Sequence, residues 1–593
     1  MKYRLEIDGL RALAVLPVIF FHAGFDMFRG GYVGVDVFFV ISGYLITSII
    51  INKLEKNQFS IINFYERRAR RILPALFFVM LLNIPIAFFT MLPDALENFG
   101  QSLVATSLFA NNILLYLTSG YWDLASEYKP LLHTWSLAVE EQYYIIFPIL
   151  MTLLWRFSTK TIIYFFIVLF FISLGFAQWE SLYNSEASLR SGFYLLHTRA
   201  FEILIGVFIA FYFKKYDYLK SNIYNQFLSL IGFILVVYSI FTFNETTPFP
   251  SIYTLLPALG TGLLILSTTK ETIIYKLLSN RILVFIGLIS YSGYLFHQSI
   301  FSFMRIVSKN EPTSFLMIFG IVITFFAAYL SYKFIERPFR DFEKMSRKKL
   351  LLILSVAFTV IVTSGMILAL NNGFNQRIYK SDFNKLEKSK IISSRAYDYK
   401  KDNYKSLDVV NLLIIGDSFG RDVVNVILET YQNNKIEIAY SSNLDVCQVN
   451  DKIFNTDILR ESDVIIFASD YSDKNCINEL LRKSKEKEIF FVGTKHFGYN
   501  LNWILRINKD SRGMLRNDII DEAIEEENFL KSIVPEANFI SYIDILSIDN
   551  KILITNEEGN LISDDRTHLT LSGVKFVGEN VFKKHRLSEF LTN

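Results

Sequence analysis

Long apolar runs constrain this chain more than any other feature of its sequence. Between residues 10 and 370, eleven segments are long enough, or nearly so, to cross the roughly 30 Å hydrocarbon core of a bilayer. Their approximate limits are 10–27, 33–51, 72–92, 131–155, 161–178, 199–213, 226–243, 252–268, 283–304, 313–335 and 349–370. The stretch 101–117 is interrupted by Gln101, Asn111 and Asn112, and we expect it to lie at the membrane interface. Such a chain is neither a purely soluble enzyme nor a disordered or fibrous protein.

Basic residues in the connecting loops predict the orientation of these spans. With a cytoplasmic N-terminus, the inner loops hold 20 Lys and Arg residues and the outer loops hold five, which is the bias that membrane insertion produces. A twelfth span would reverse every later loop and remove this bias. We therefore expect eleven spans, a first span that is retained as an anchor, and a C-terminal region outside the cell membrane. The formal net charge of +3 is too small to argue for nucleic-acid binding.

The composition changes near residue 371, where a polar region begins. Three apolar runs in this region suit buried parallel strands, at 409–415, 464–467 and 489–492. Charged helical stretches at 478–488 and 518–532 alternate with them. We therefore predict an all-α membrane bundle followed by a soluble α/β domain with a parallel sheet. The predicted boundaries are 1–348 for ten spans, 349–371 for the eleventh, 372–407 for a linker that packs on the domain, and 408–593 for the domain itself.

Both cysteines of the chain, Cys447 and Cys476, fall in this outer region. In an oxidising compartment they could form a disulfide. Sequence does not give the distance between them, so two free thiols remain the alternative.

Several ionisable side chains lie inside the apolar segments, where they are costly and usually mark a site or a pathway. Arg11 and His22 are eleven residues apart, which places them on one helix face, about 16 Å apart along the axis. Asp8 lies one turn before Arg11 and can pair with it. Asp36 follows a short glycine-rich turn, so it could approach His22. A packed, hydrogen-bonded histidine is the alternative for His22.

Two further polar groups interrupt the apolar segments. His133 and Glu140 are seven residues apart in the stretch 132–142, so they lie close to one helix face. Placing the acidic pair Glu140-Glu141 inside a span costs free energy unless the pair faces a wet cavity. Arg199 and Glu202 are one turn apart, where a structural ion pair is as reasonable as a functional one.

Four arginines lie together in the inner loop before the third span, namely Arg67, Arg68, Arg70 and Arg71. They can act as a topology anchor. Because arginine forks match phosphate oxygens, the same loop could instead clamp a phosphate-bearing cytoplasmic ligand.

Ordered motifs cover roughly residues 1–345. They are Asp8-Gly9-Leu10-Arg11-Ala12-Leu13-Ala14, His22, Gly34-Val35-Asp36-Val37-Phe38-Phe39-Val40-Ile41-Ser42-Gly43, the arginine loop, the stretch 133–142, Ser290-Tyr291-Ser292-Gly293-Tyr294-Leu295-Phe296-His297 and Glu336-Arg337-Pro338. Together they resemble the acyltransferase-3 family of membrane enzymes. The resemblance implies transfer of an acyl group, commonly acetyl from acetyl-CoA, to an extracytoplasmic carbohydrate. Arg11 and His22 match the family's Arg…His pair in the first span, and the arginine loop and Glu140 also fall on family positions.

A serine follows the first predicted strand of the outer region, in Gly416-Asp417-Ser418. A serine in such a turn projects at the carboxyl edge of the sheet, where α/β sites form. Near the C-terminus, Asp565 and His568 are spaced so that the carboxylate can hold the imidazole, which takes the proton from Ser418.

This combination resembles the SGNH hydrolase/transferase family over roughly residues 405–590. The family's asparagine and glycine oxyanion donors have no clear match, since the third-strand position reads Phe467-Ala468-Ser469-Asp470. The oxyanion would then rest on backbone N–H groups, including that of Ser418. A degenerate domain that only binds sugar is the alternative.

The two halves in this order resemble bacterial O-acetyltransferases that modify surface polysaccharides, especially lipopolysaccharide O-antigen. The resemblance implies acetyl-CoA as acyl donor, no permanently bound cofactor and no metal. It also implies a carbohydrate acceptor, which is O-antigen or a lipid-linked precursor, and an inner-membrane protein with a periplasmic C-terminal domain. The alternatives are acetylation of peptidoglycan or another envelope glycan, a membrane-anchored carbohydrate esterase, and a polysaccharide flippase.

Our mechanistic hypothesis has two stages. Arg11 and the arginine loop (Arg67, Arg68 and Arg71) hold the charged part of CoA, supported by Asp36, His133 and Glu140. His22, oriented by Asp36 or Glu140, acts as general base. Ser418 then forms an acyl-serine, and His568, held by Asp565, activates the sugar hydroxyl.

Overall fold

The structure is a computed structural model, and it divides the chain into two compact units. It describes residues 3–118, 126–183, 191–216, 218, 221–244, 246–378, 389–405, 409–431, 435–442, 457–469, 474–483 and 487–592. The first unit comprises Met1–Phe89, Ala95–Arg305 and Pro312–Gly373. The second comprises Thr90–Asp94, Ile306–Glu311 and Phe374–Asn593. We call them the helical unit and the α/β unit.

Among the described residues, the helical unit contains one α-helix of four residues and fourteen of six or more residues. They are α1 Leu5–His22, α2 Gly34–Glu55, α3 Ile61–Thr90, α4 Pro93–Ser107, α5 Asn111–Thr118, α6 Thr134–Leu154, α7 Thr159–Tyr183, α8 Leu196–Lys215, α9 Asn222–Thr242, α10 Leu255–Ser267, α11 Ile273–Leu278, α12 Arg281–Val307, α13 Ser314–Ser331 and α14 Arg347–Leu370. A π-helical turn, Tyr332–Glu336, continues α13 into the short helix Arg337–Arg340.

Nine helices of the described residues are long and apolar enough to cross a membrane, namely α2, α3, α6, α7, α8, α9, α12, α13 and α14. Each corresponds to one of the eleven predicted spans. The eighth predicted span, 252–268, contains α10, which is only 13 residues long. The interrupted stretch 101–117 is divided between α4 and α5, so it forms no single long helix.

The first helix begins earlier than the apolar pattern indicates. The predicted span was 10–27, whereas α1 runs from Leu5 to His22. Its first turns bury two carboxylates, Glu6 and Asp8, each 6% exposed. Both carboxylates have cationic partners, because Glu6 pairs with Arg4 at 2.7 Å and Asp8 with Arg11 at 3.5 Å. These pairs allow the helix to extend past the end of the apolar run.

Helices α2 and α8 cross in close contact. A Cβ at Gly43 would lie 2.0 Å from the carbonyl oxygen of Ile203, and a Cβ at Gly206 would lie 2.2 Å from that of Val40. Only glycine therefore allows this approach, as is usual where membrane helices pack through small residues. The crossing brings the polar groups near the start of each helix together.

The α/β unit contains a five-stranded parallel sheet in the order β2-β1-β3-β4-β6. The strands of the unit are β1 Val410–Gly416, β2 Ile436–Ser441, β3 Val464–Ala468, β4 Glu488–Val492, β5 Arg516–Asp518, β6 Phe539–Ile540, β7 Ser547–Ile548 and β8 Lys551–Leu553. The last of these pairs with β5 and β7 in a small antiparallel sheet. The predicted parallel sheet is confirmed, and three of its strands, β1, β3 and β4, were predicted as apolar runs.

Helices cover both faces of the parallel sheet. They are α15 Ser389–Ser394, α16 Ser418–Thr430, α17 Asp457–Glu461, α18 Lys474–Lys483, α19 Asp521–Lys531, α20 Tyr542–Leu546, α21 Leu571–Val577 and α22 Leu587–Thr592. Two apolar clusters form the core, one on each face of the sheet. The predicted linker contacts this unit, since Arg395 pairs with Glu429 at 2.9 Å and Lys401 with Glu437 at 2.8 Å. Cys447 and the side chain of Cys476 lie outside the described residues, so the disulfide between them stays a prediction.

Candidate active sites

Ser418 lies at the point of the parallel sheet where the strand order reverses. It is the first residue of α16, and only Asp417 separates it from β1, which pairs with β2 on one side and β3 on the other. Ligands of open α/β sheets bind at such a switch point. A Cβ on Gly416 would lie 1.8 Å from the carbonyl oxygen of Ala468, so the close pairing of β1 and β3 requires glycine here. Asp417 caps the helix by accepting a hydrogen bond from the N–H of Phe419 at 2.8 Å.

The structure brings Ser418, His568 and Asp565 into one hydrogen-bonded chain. His568 Nε2 lies 2.9 Å from Ser418 Oγ, and His568 Nδ1 lies 2.5 Å from Asp565 Oδ2. The other carboxylate oxygen, Oδ1, accepts the backbone N–H groups of His568 at 2.8 Å and Thr567 at 3.0 Å. Ser418 is 0% exposed and His568 is 3% exposed. This arrangement can remove a proton from Ser418 and stabilise the imidazolium that results.

The environment of Asp565 keeps its carboxyl group ionised. Burial by itself would raise the pKa of Asp565, but the charge of His568 and hydrogen bonds from the His568 imidazole and backbone lower it below its ordinary value. The carboxylate is therefore available to orient His568 over the whole physiological pH range.

The oxyanion donors remain a prediction. The side chain of Ser469, at the end of β3, donates a hydrogen bond to Asp417 Oδ2 at 3.3 Å, while Asp470 lies outside the described residues. The N–H of Ser418 belongs to the first turn of α16, where backbone donors have no acceptor within the helix. It remains the first candidate donor.

An ion pair that sequence reasoning missed supports the loop that carries His568. Asp422, one turn after Ser418, accepts hydrogen bonds from Lys495 Nζ and from the N–H of Leu569, the latter at 3.0 Å. Asp422 is 0% exposed and Lys495 is 1% exposed. The pair is separated by 73 residues of sequence, and no local pattern points to it.

The helical unit contains a cavity of about 220 Å³ between α1, α2, α3, α6 and α12. Charged and hydroxyl-bearing side chains meet there with an apolar wall that includes Phe38, Leu45 and Ile49. The polar lining residues are Arg11, Ser42, Arg68, Arg71, Ser136, Glu140, Tyr144, Ser290, Tyr291 and Tyr294. Glu140 accepts hydrogen bonds from Ser42 and Tyr144. Glu140 therefore faces a partly polar cavity, whereas Glu141, the other member of the acidic pair, is not among the lining residues.

The four loop arginines have different positions. Arg68 and Arg71 line the cavity. Arg67 is exposed and lies over the ring of Phe342, 5.8 Å from its centroid. Arg70 is 2% exposed and is held by Glu66 at 2.9 Å and by the carbonyl oxygen of Met345 at 2.8 Å. Arg68 and Arg71, together with Arg11, are thus the cations available to a ligand in the cavity, and Arg70 has a structural role.

Asp36 and Glu140, which we expected to orient His22, have other partners in the structure. Asp36 pairs with Arg199 at 3.1 Å, and Arg199 also pairs with Glu202 at 3.0 Å, because the crossing of α2 and α8 brings these groups together. All three are at most 1% exposed. Glu140 faces the cavity instead.

His22 lies at the end of α1, outside the residues that line the cavity. Its ring centroid is 5.2 Å from that of His297, and the His297 centroid is 5.4 Å from that of His133. His133 precedes the first turn of α6 and is 2% exposed. His297 was part of a recognised motif but was not chosen as a site residue, although a histidine within an apolar span was a sufficient signal.

Metal ligation has no support within the described ranges, where no group of three or more His, Cys, Asp or Glu side chains has the geometry to hold a metal ion.

Comparisons with known proteins match the helical unit to one family. Residues 4–333, more than half of the chain, match the acyltransferase domain. The peptidoglycan O-acetyltransferase OatA of Listeria monocytogenes is 34% identical over 352 residues, which cover 57% of this chain and 56% of the relative. A putative O-acetyltransferase of Staphylococcus aureus is 34% identical over 361 residues, which cover 57% of this chain and 58% of the relative.

The α/β unit is included in a longer but weaker similarity. The O-acetyltransferase OatA of Staphylococcus aureus is 27% identical over 570 residues, which cover 89% of both chains. The first two relatives are matched over little more than half of their length. No solved structure matches the chain significantly.

Proposed function

This chain belongs to the acyltransferase-3 family, and from that membership we propose that it is an O-acetyltransferase that modifies a glycan of the cell envelope. The observation that carries the proposal is the 2.9 Å contact between Ser418 Oγ and His568 Nε2, with Asp565 behind the imidazole. These three residues supply a nucleophile suited to acyl groups, in addition to the domain that defines the family.

The acceptor we propose is peptidoglycan. Sequence analysis favoured lipopolysaccharide O-antigen and kept peptidoglycan as the alternative. The relative from Listeria monocytogenes is named a peptidoglycan O-acetyltransferase. We therefore place peptidoglycan before O-antigen as the acceptor. O-antigen becomes the second candidate.

The donor we propose is acetyl-CoA, bound from the cytoplasmic side in the cavity of the helical unit. Arg11, Arg68 and Arg71 offer guanidinium groups to the phosphates of CoA. At about 220 Å³ the cavity is smaller than the roughly 300–1,000 Å³ of sites that enclose drug-sized ligands. It suits the acetyl-pantetheine arm, with the nucleotide outside. His22 is our candidate for the general base of this unit, and because it lies outside the cavity lining, the acetyl group and its acceptor would have to meet beyond the cavity, next to His22.

The α/β unit completes the transfer on the outer side of the membrane. His568 removes the proton of Ser418 as Oγ attacks the acetyl carbonyl, and an acetyl-serine forms as His568 gives this proton to the departing donor group. His568 next removes the proton of the glycan hydroxyl, whose oxygen attacks the acetyl-serine. Ser418 leaves with that proton, so the triad returns to its starting state. This scheme requires a cytoplasmic N-terminus and an external α/β unit, as the loop charges predict.

The test is acetyl transfer by the full chain in proteoliposomes, with radiolabelled acetyl-CoA on the side of the arginine loop and peptidoglycan fragments on the other side. We expect labelled glycan from the native chain. Ser418→Ala should lower the yield by at least about 10³-fold, since it removes the nucleophile of a triad. Ser588→Ala, on the helix at the C-terminus, is the matched serine control and should transfer normally.

Three outcomes would each contradict a part of the proposal. Labelled acetate without labelled glycan would indicate an esterase in place of a transferase. Full transfer by the Ser418→Ala variant would remove the acetyl-serine step, while transfer to O-antigen fragments alone would change the acceptor.

A further inference from the structure

A loop directly after strand β4 carries a histidine that is not part of the Ser418 triad. The loop runs from residue 493 to 500, and His496 lies near its centre. In a parallel sheet, the segments that follow the strands meet at the carboxyl edge, where ligands bind. His496 is therefore at the edge of the sheet that also holds Ser418.

The residue before His496 is tied to the helix that carries the nucleophile. Lys495 pairs with Asp422, which lies one turn after Ser418 on α16. Lys495 is 1% exposed and Asp422 is 0% exposed. The buried pair therefore fixes the first part of this loop against the start of α16.

The residue after His496 is tied to the loop that carries the base. The N–H of Phe497 donates a hydrogen bond to the carbonyl oxygen of Arg566 at 2.8 Å. Arg566 lies between Asp565 and His568 in the sequence. Phe497 is 0% exposed, whereas His496 is only partly buried. The imidazole of His496 therefore reaches the surface between the segments that carry the nucleophile and the base.

A hydrogen bond within the loop fixes the tautomer of His496. Its Nδ1 accepts the N–H of Gly498 at 3.2 Å, so the proton of the neutral ring lies on Nε2. Nε2 has no hydrogen-bond partner among the residues that the structure describes. Gly498 has a φ of +95°, and a Cβ there would lie 2.3 Å from Asn517 Nδ2, so this turn requires glycine. The loop thus holds an N–H donor that is available to a ligand.

The charge state of His496 suits recognition of an uncharged group. Burial and the charge of Arg566 lower the pKa of His496 to about 4, against the opposite effect of Asp565. The imidazole is therefore neutral at physiological pH. A neutral N–H donor forms no ion pair, and it suits the hydroxyl and amide carbonyl oxygens that glycans carry.

The exposed side of the triad lies next to His496. The side chain of Asp565 is 23% exposed, whereas Ser418 and His568 are buried. Asp565 is also close enough to His496 for its charge to act on the imidazole. The part of the triad that solvent reaches and the N–H donor of His496 are therefore neighbours.

We infer that His496 binds the acceptor glycan by donating a hydrogen bond from Nε2 to one of its hydroxyl or amide carbonyl oxygens. The inference rests on the proposed function and adds a residue that determines acceptor affinity. No bond to carbon is made or broken at His496, and its proton stays on Nε2. His496 therefore positions the acceptor and leaves the acetylation of Ser418 unchanged.

The experiment uses the full chain with 4-nitrophenyl acetate as donor and soluble peptidoglycan fragments as acceptor, so that the reaction starts at Ser418 without acetyl-CoA. The rate of Ser418→Ala is subtracted as background. Loss of one hydrogen bond in His496→Ala should raise the KM for the fragments by roughly 3- to 10-fold. The kcat of transfer, and hydrolysis of the donor without fragments, should not change. His496→Gln keeps an N–H donor and should recover most of the affinity.

His585→Ala is the matched control. His585 Nδ1 also accepts an N–H group from two residues later, that of Leu587 at 3.2 Å, but its ring packs against Phe490 of β4. This variant should have the native KM. An unchanged KM in His496→Ala would overturn the inference, and so would a parallel fall in hydrolysis, which would indicate a structural role. Hydrolysis by the native chain without any acetylated fragments would instead overturn the proposed function, on which the inference rests.

Discussion

Asp422 and Lys495 join two parts of the outer site that are distant in sequence. Asp422 is on the helix that begins with Ser418, and it also holds the N–H of Leu569, the residue after His568. Asp422 therefore connects the helix that carries the nucleophile Ser418 with the loop that carries the base His568. Breaking the pair would leave a charge buried without a partner.

We expect Lys495→Met to lower the free energy of local unfolding around Asp422 by about 3–5 kcal/mol. The double variant Asp422→Leu/Lys495→Met should recover most of this loss, because no uncompensated charge remains. Native-state hydrogen exchange of the β1 amides in the full chain measures both values. Equal exchange in Lys495→Met and the native chain would show that the pair contributes nothing.

The grouping of Ser418, Asp565 and His568 could be predicted because each part of it has a local signal. A serine follows a buried strand, and the carboxylate and histidine are three residues apart. Lys495 and Asp422 have no such signal, since only the folded sheet brings them together. For the same reason, the sequence did not show that Arg68 and Arg71 line the cavity whereas Arg67 and Asp36 do not.

At the scale of elements, helix α19 carries a buried acid whose protonation affects the α/β unit. Glu527 is 2% exposed and accepts a hydrogen bond from Ser541. Burial raises the pKa of Glu527 to about 7, against the lowering effects of Ser541 and Lys531. The folded protein thus keeps a proton that the unfolded chain releases near pH 4.3.

This difference predicts lower stability as the pH rises. The contribution of Glu527 is fully present below about pH 4.3 and is lost as the pH rises through about 7, because only the folded state then holds the proton. Hydrogen exchange of the α19 amides, corrected for intrinsic rates, should show this loss. Glu527→Gln should remove it, whereas Glu525→Gln, an exposed change on the same helix, should keep it. A loss that persists in Glu527→Gln would assign the effect to another group.

Apolar patterns located most of the long helices and most of the parallel strands. Nine predicted spans and three predicted strands correspond to observed helices and strands. The pattern was wrong at the start of α1, because Glu6 and Asp8 are buried through ion pairs that a hydropathy argument does not include. It also missed β2, whose outer residues are only partly buried, and β6, which has two residues.

At the scale of the whole molecule, the proposed reaction depends on which side of the membrane each polar group faces. The loop charges predict a cytoplasmic arginine loop and an external α/β unit. In sealed right-side-out vesicles, an added protease should therefore cut within residues 374–593 and leave a tag at the N-terminus intact. Inside-out vesicles should give the opposite pattern. Cleavage of the N-terminal tag in right-side-out vesicles would exclude the proposed orientation.

The cavity that we propose for the donor could be anticipated only in part. Sequence indicated that the acidic pair containing Glu140 is costly unless it faces a wet cavity, but five helices contribute to the cavity wall. Which arginines reach it, and that His22 does not, depends on how these helices pack. No periodicity within a single segment contains that information.

The complete burial of Ser418 affects how much of the acetyl group the cell would lose to hydrolysis. With 0% of its surface exposed, an acetyl group attached to this serine would be kept from bulk water, the competitor that is always present at about 55 M outside the cell. Sheltered in this way, the proposed acetyl-serine would persist until a sugar hydroxyl reaches it. Little of the acetyl group taken from central metabolism would then be lost by hydrolysis to free acetate.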